Sequence, residues 1–154
     1  MRTGPTKRSF GVLLTSLLAL GLLLGCGGGD GSSAATYDTA ANEAQVKANW
    51  ETFFSPKGTT AEHEALLENG ASLRKAIEVN AKNPLAKTAK TTVTKVVIDP
   101  GHTTATVTYD ISINGQKVIN GGEGQAVHQD GKWKVSKESF CGLAAAGGAA
   151  PGCS

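Results

Sequence analysis

Hydrophobic and polar side chains alternate in the second half of the chain, most regularly over residues 105–113. There each odd-numbered residue is apolar or aromatic and each even-numbered residue is polar. A period of two predicts a strand with one buried and one solvent-exposed face. The turn sequences Asp99-Pro100-Gly101, Asn114-Gly115 and Asp130-Gly131 divide the region into four strands, near 91–98, 103–113, 116–128 and 132–140. Gly121, Gly122 and Gly124 indicate a bulge or bend in the third strand.

Before this region the apolar residues recur at helical spacing. Asn42 to Gln45 has the form of a capping box, and Val46, Trp50, Phe53 and Phe54 follow on one face of a first helix that ends at Ser55-Pro56. A second helix is predicted between the start signal at 59–62 and the Asn69-Gly70 stop, and a third over 72–81. Helices followed by antiparallel strands predict an α+β domain.

The first 25 residues have the pattern of an export signal. Arg2, Lys7 and Arg8 precede fifteen largely apolar residues, 10–24, which is shorter than the roughly 20 needed to span a bilayer. The run ends in glycines without a basic stop signal, which favours a secretory signal over a transmembrane helix. Leu23-Leu24-Gly25-Cys26 resembles the bacterial lipobox. The resemblance implies that a lipoprotein signal peptide, residues 1–25, is removed and that Cys26 is the lipidated first residue.

A flexible tether is predicted over residues 26–42, because four glycines and no large aliphatic side chain leave too little surface to bury. The sixteen residues after Cys26, 27–42, would reach roughly 20 to 24 Å. Since two or more acyl chains hold a protein stably, we expect the domain at 43–154 to be extracytoplasmic. Its predicted location is the outer face of the bacterial cell membrane, and the lipid anchor is what would attach it to that membrane.

Net charge argues against a polyanionic partner. The full chain carries 15 Lys and Arg against 13 Asp and Glu, but residues 1–25 hold three of the basic residues and no acid. The remainder has a net charge of about −1, which gives no reason to expect nucleic-acid binding. About 110 residues after the tether suffice for one modest domain.

Two cysteines remain once Cys26 is assigned to lipid. Cys141 and Cys153 form an even pair in an oxidising compartment, so a disulfide that pins the C-terminal tail is expected. The alternative, that Cys141 is a nucleophile, has no neighbouring motif to support it.

Three segments carry a resemblance to a known family. These are Trp50-Glu-Thr-Phe53-Phe54, then Leu66-Leu-Glu-Asn69-Gly70, then Asp130-Gly-Lys-Trp133-Lys-Val-Ser136 leading to Phe140-Cys141. Over about residues 43 to 153 the chain resembles the low-molecular-weight antigen family of mycobacteria and other actinobacteria. That resemblance implies a cone-shaped fold like nuclear transport factor two, with helices on a curved four-stranded antiparallel sheet. The resemblance provides no catalytic motif that could be carried over to this chain.

Four side chains are the candidates for a pocket in such a cone. A two-residue turn at Asp130-Gly131 would pair His128 with Trp133, which places the histidine on the face that Trp133 buries. Trp50 of the first helix and Tyr109 on the apolar side of the second strand complete the set. The alternative is that His128 lies half solvated at the strand end and only packs on Trp133.

No catalytic, metal or cofactor residues are predicted. His63, His102 and His128 lack metal-ligand spacing, and His63 between two glutamates is expected to be a solvated helix residue. Asp110 has the parity of the exposed threonines, so it should point away from the core.

The sequence therefore predicts a non-enzymatic surface lipoprotein that binds a small apolar ligand or a protein partner. The alternative is a small isomerase or cyclase of the ketosteroid-isomerase type, which would need a carboxylate inside the cavity. The polar even-numbered face of the second strand is either solvent-exposed surface or a homodimer interface.

Overall fold

A computed structural model describes residues 36–148 and 150–153. The predicted signal peptide, Cys26 and all but the last residues of the predicted tether lie outside the described residues. Those predictions stay predictions.

The described chain is helical first, then a sheet, then helical again. The helices are α1 (Thr39–Phe53), α2 (Thr60–Ala65), α3 (Arg74–Lys82), α4 (Pro84–Thr88) and α5 (Lys137–Ala146), with a 3-10 turn at Gly70–Leu73 before α3. The three predicted helical regions are confirmed, whereas α4 and α5 were not predicted. Within the described ranges, no helix combines the length and the apolar character that crossing a membrane requires.

The first helix begins earlier than predicted. Its N-cap is Asp38, whose Oδ1 accepts from the Ala41 amide at 3.0 Å. Residues 39–42, assigned above to the tether, are therefore helical, and Asn42 lies inside the first turn. The predicted capping box of α2 is confirmed: Glu62 N donates to Thr59 Oγ1 at 3.3 Å, and Thr59 N donates to Glu62 Oε2 at 2.6 Å.

Four antiparallel strands form one sheet in sequence order, and the sheet is curved as predicted. The strands are β1 (Ala89–Ile98), β2 (Thr104–Ile113), β3 (Gln116–Gln129) and β4 (Lys132–Val135). The predicted two-residue turn between β3 and β4 is confirmed, because Gln129 pairs with Lys132 and His128 with Trp133. The pairing of β2 with β3 shifts register on both sides of Ile111, opposite the glycine-rich segment where a bulge or bend was expected.

The fourth strand was predicted to run to Phe140, and this is wrong. It ends at Val135 because Ser136 caps α5: its Oγ accepts from the Ser139 amide at 3.1 Å. Phe140 and Ala144 of α5 are buried in the core. The expected disulfide joins Cys141 on this helix to Cys153, so the tail is pinned to a helix that itself packs on the core.

Helix α1 crosses the concave face of the sheet and also holds its β1 edge. Lys47 Nζ donates to the Val93 carbonyl at 3.0 Å, and the Val93 amide donates to Glu51 Oε1 at 2.9 Å. The two side chains are one turn apart on α1, so together they satisfy both main-chain groups of one residue on the strand edge. The contact positions α1 over the sheet.

Trp50 of α1 occupies space that only a glycine in β3 leaves free. A Cβ added to Gly124 would lie 2.7 Å from Trp50 Cη2 and 2.9 Å from Cζ2. Gly122 is similarly crowded, since its Cβ would lie 3.1 Å from the Tyr109 ring and 2.8 Å from Ile119 Cγ2. The two glycines therefore form a recess in the sheet that aromatic rings fill.

We expect the free energy of unfolding of Asp99→Asn to depend less on pH in the acid range than that of the wild type. Asp99 accepts from the amides of Thr104 at 2.6 Å, Thr103 at 3.0 Å and Gly101 at 3.0 Å. These bonds, led by the one from Thr104, hold the pKa of the Asp99 carboxyl below its ordinary value in the folded state. The unfolded chain therefore binds the proton first, and this stabilisation is lost as pH falls below about 4 and through the lowered pKa.

Urea unfolding of wild type and Asp99→Asn over a pH series measures the effect. The free energy of unfolding of the wild type should fall more steeply than that of the variant in the acid range. Parallel pH profiles would show that the Asp99 charge contributes nothing to the fold.

Candidate functional site

The four side chains predicted to form a pocket lie in two groups. Trp50 and Tyr109 are buried and pack with ring centroids 5.7 Å apart. Trp133 is fully buried, and its Nε1 donates to Asn42 Oδ1 at 2.8 Å. His128 is exposed and its ring centroid lies 5.1 Å from that of Trp133. The histidine thus lies on the surface against the indole, while burial raises the pKa of the Tyr109 phenol.

An apolar cavity of about 250 Å³ lies near the β2–β3 turn, at the other end of the sheet from His128 and Trp133. Its floor is made by aliphatic side chains near the β2–β3 turn, namely Ile111, Ile113, Val118 and Ile119. None of the four predicted pocket residues lines it. The aromatic side chains expected to surround a ligand instead fill the interior next to the cavity.

Helices form the walls of the cavity. Phe53 and Phe54 enter from the end of α1, Ile77 from α3 and Leu85 from α4. The remaining wall comes from α5, through Phe140, Leu143 and Ala144. The cavity therefore depends on both helices that the sequence analysis missed.

Asn83 joins two of these walls. Its Oδ1 accepts from the Leu85 amide at 2.9 Å and so caps α4, where Pro84 occupies the first helical position. Its Nδ2 donates to the Gly147 carbonyl at 2.7 Å, beyond the last residue of α5. One side chain thus starts α4 and fixes it to the C-terminal end of α5.

The apolar lining of the cavity extends to the protein surface. Leu85 on α4 and Val118 on β3 are about half exposed, with 51% and 55% of their surface accessible. Both also line the cavity. Large aliphatic side chains that are half exposed beside an open cavity are typical of a binding site.

The cavity lining includes His63 but no Asp or Glu. The expectation that His63 is simply solvated is wrong. Its ring is half-buried, stands edge-on to Phe53 at a centroid distance of 5.8 Å, and its Nε2 is buried without a hydrogen-bond partner. The chain turns after α1 and α2 contacts α1, which places this residue against Phe53 rather than in water.

Asp110 lies outside the cavity and points away from the core, as predicted. Its carboxylate accepts from Lys117 Nζ at 2.6 Å and from the Gly121 amide at 2.9 Å. These contacts, led by Lys117, hold the pKa of Asp110 below its ordinary value. The residue stabilises the bend in β3. Among the described residues, no group of three or more His, Cys, Asp or Glu could hold a metal ion.

Comparison with models of known protein families shows the family of this chain. A model described as the low molecular weight antigen MTB12, C-terminal domain, matches residues 39–151. The chain belongs to this family. The match spans every described helix and strand, so the cavity lies within the domain that defines the family. A search of curated proteins finds no match.

Signals for the missed cavity walls are present in the sequence. Asn83 before Pro84 is an N-cap followed by a proline at N1. This pair can start a helix, here α4, as well as end the preceding one. Ser136 followed by the alanine-rich segment up to Ala146 has a cap and high helix propensity. Nothing in the sequence pattern indicated that His63 would be turned against Phe53, because that contact depends on how α2 packs.

Proposed function

We propose that this antigen-family protein is a non-enzymatic binding module on the bacterial surface, and that its cavity holds a small apolar molecule. The observation that supports the proposal is the cavity of about 250 Å³ whose lining is mainly aliphatic and aromatic. Concave, apolar sites with a few polar groups are the usual form of small-molecule sites.

The size of the cavity favours a ligand larger than a single ring. An engineered apolar cavity of about 150 Å³ in another protein stays dry and binds benzene. The present cavity is larger, and two of its lining residues, Leu85 and Val118, are about half exposed at the surface. A bicyclic or short-chain molecule can therefore enter and bury most of its apolar surface.

The lining supports binding rather than catalysis. An isomerase of the ketosteroid type needs a carboxylate base inside the cavity, and the described lining residues include neither Asp nor Glu. Tyr109, one of the four predicted pocket residues, packs on Trp50 and is absent from the lining. The alternative enzymatic function therefore lacks its central residue in this cavity.

The anchor is the second part of the proposal. Leu23-Leu24-Gly25-Cys26 follows a basic and then an apolar segment, which is the arrangement of a bacterial lipobox. Lipid on Cys26 would hold the domain at the membrane. An apolar cavity beside a membrane is suited to a ligand that partitions into lipid.

Filling the cavity should abolish binding of an apolar probe. Ala144 is buried and lines the cavity, so Ala144→Leu places three additional carbon atoms in the site. We expect affinity for naphthalene to fall at least about tenfold, which corresponds to roughly 1.4 kcal/mol. An NMR titration that follows the methyl groups of Ile111 and Ile119 measures it.

Ala145→Leu is the matched control, because Ala145 is exposed on the same helix and does not line the cavity. It should bind naphthalene like the parent. All three proteins carry Cys26→Ala, since detergent needed for a lipidated form would compete as an apolar ligand. Equal affinities in both leucine variants, or no binding by the parent, would contradict the proposed site.

Loss of Cys26 should release the protein from the membrane. In the native host grown with labelled palmitate, we expect label in the wild-type protein and none in Cys26→Ala, because the thiol carries the diacylglyceryl group. Cys153→Ala serves as a control, since Cys153 is in the disulfide and not in the lipobox. Equal labelling of wild type and Cys26→Ala would disprove the anchor.

A further inference from the structure

Thr91 places a hydroxyl group in the wall of the apolar cavity. It lies on the buried face of β1 and pairs with Ile111 of β2, and both residues line the cavity. Only 8% of the Thr91 surface is accessible. Ser136 is the other buried polar residue of the described chain, and its hydroxyl is used in the fold, because it accepts from the Ser139 amide.

The Thr91 hydroxyl has no such use. Thr94 of the same strand donates its hydroxyl to the Thr108 carbonyl at 3.1 Å, whereas Thr91 Oγ1 makes no hydrogen bond with the described residues. The atom still has accessible surface, since it is not among the described side-chain polar atoms that lack both a partner and contact with solvent. Because the residue is buried and lines the cavity, that surface faces the cavity.

We infer that Thr91 Oγ1 is the polar contact of the site and that the ligand is an apolar molecule with one uncharged hydroxyl group, which bonds to it. The inference rests on the proposed function of the cavity and adds the chemical class of what it holds. A hydroxyl without a partner in apolar surroundings costs free energy, and a hydrogen bond to the ligand recovers it.

The depth of Thr91 favours a neutral group on the ligand. A carboxylate beside this residue would lose most of its hydration and gain a single hydrogen bond in return. Lys87, the lysine of the lining, is exposed on α4, so water screens its charge. A ligand hydroxyl both donates and accepts, and it can therefore match either orientation of the Thr91 O–H bond.

Three probes of similar shape separate these chemistries: naphthalene, β-naphthol and β-naphthoate. In the full chain with Cys26→Ala, we expect β-naphthol to bind about tenfold more tightly than naphthalene, and β-naphthoate no more tightly than naphthalene. Thr91→Val replaces the hydroxyl by a methyl group. It should remove the preference for β-naphthol while leaving naphthalene affinity within about twofold. Thr91→Ser, which keeps the hydroxyl, should retain a preference for β-naphthol.

Thr92→Val is the matched control, because Thr92 is the next residue of β1, is exposed and does not line the cavity. It should bind all three probes like the parent. Urea unfolding separates a binding role from a structural one. Since the Thr91 hydroxyl has no partner in the fold, Thr91→Val should unfold at the same urea concentration as the parent or at a higher one.

Several results would overturn the role of Thr91 and leave the apolar site intact. These are equal affinity of the parent for naphthalene and β-naphthol, an unchanged preference in Thr91→Val, tightest binding of β-naphthoate, or a lower urea midpoint for Thr91→Val. Failure of the parent to bind naphthalene would instead remove the proposed function on which the inference rests.

Discussion

The structure depends on the absence of a side chain at Gly124. The six-membered ring of Trp50 packs so closely on Gly124 that two of its carbon atoms would lie 2.7 and 2.9 Å from a Cβ at this position. A helix carrying a tryptophan can therefore sit close to the concave face of β3, and Trp50 becomes almost fully buried although its Nε1 finds no partner. Shape rather than hydrogen bonding holds the indole, because a buried donor without a partner destabilises the fold by itself.

The contact between Trp50 and Gly124 separates a filled part of the interior from the part that holds the cavity. Trp50, Tyr109 and the glycines fill the middle of the sheet, and Trp133 closes the end where β4 pairs. Toward the β2–β3 turn, the side chains of the sheet are aliphatic, and the cavity lies between them and the helices. Helix α5, tied to the tail by the Cys141–Cys153 disulfide, supplies the last wall. The proposed binding function thus follows from which part of the interior the aromatic residues fill.

The sequence predicted the sheet well because strand alternation and short turns are local signals. The Asp130-Gly131 turn determined the pairing of His128 with Trp133, and the parity of Asp110 placed it outside the core. The site was harder to predict. The inward orientation of the Trp50, Tyr109 and Trp133 side chains was inferred correctly. Inward-facing aromatic residues, however, can either surround a cavity or fill it, and only the packing of the elements decides between the two. His63 and the walls from α4 and α5 depend on contacts between elements distant in sequence, which periodicity does not report.

A double-mutant cycle on Gly124 and Trp50 tests the central contact most directly. Gly124→Ala should destabilise the wild-type protein by about 1 to 3 kcal/mol in urea unfolding, because the added methyl group collides with the indole. In a Trp50→Phe background, where the colliding ring atoms are gone, the same change should cost at least about 1 kcal/mol less. If Gly124→Ala has the same effect in both backgrounds, or stabilises the wild type as a glycine replacement free of strain would, then Trp50 does not depend on the recess at Gly124.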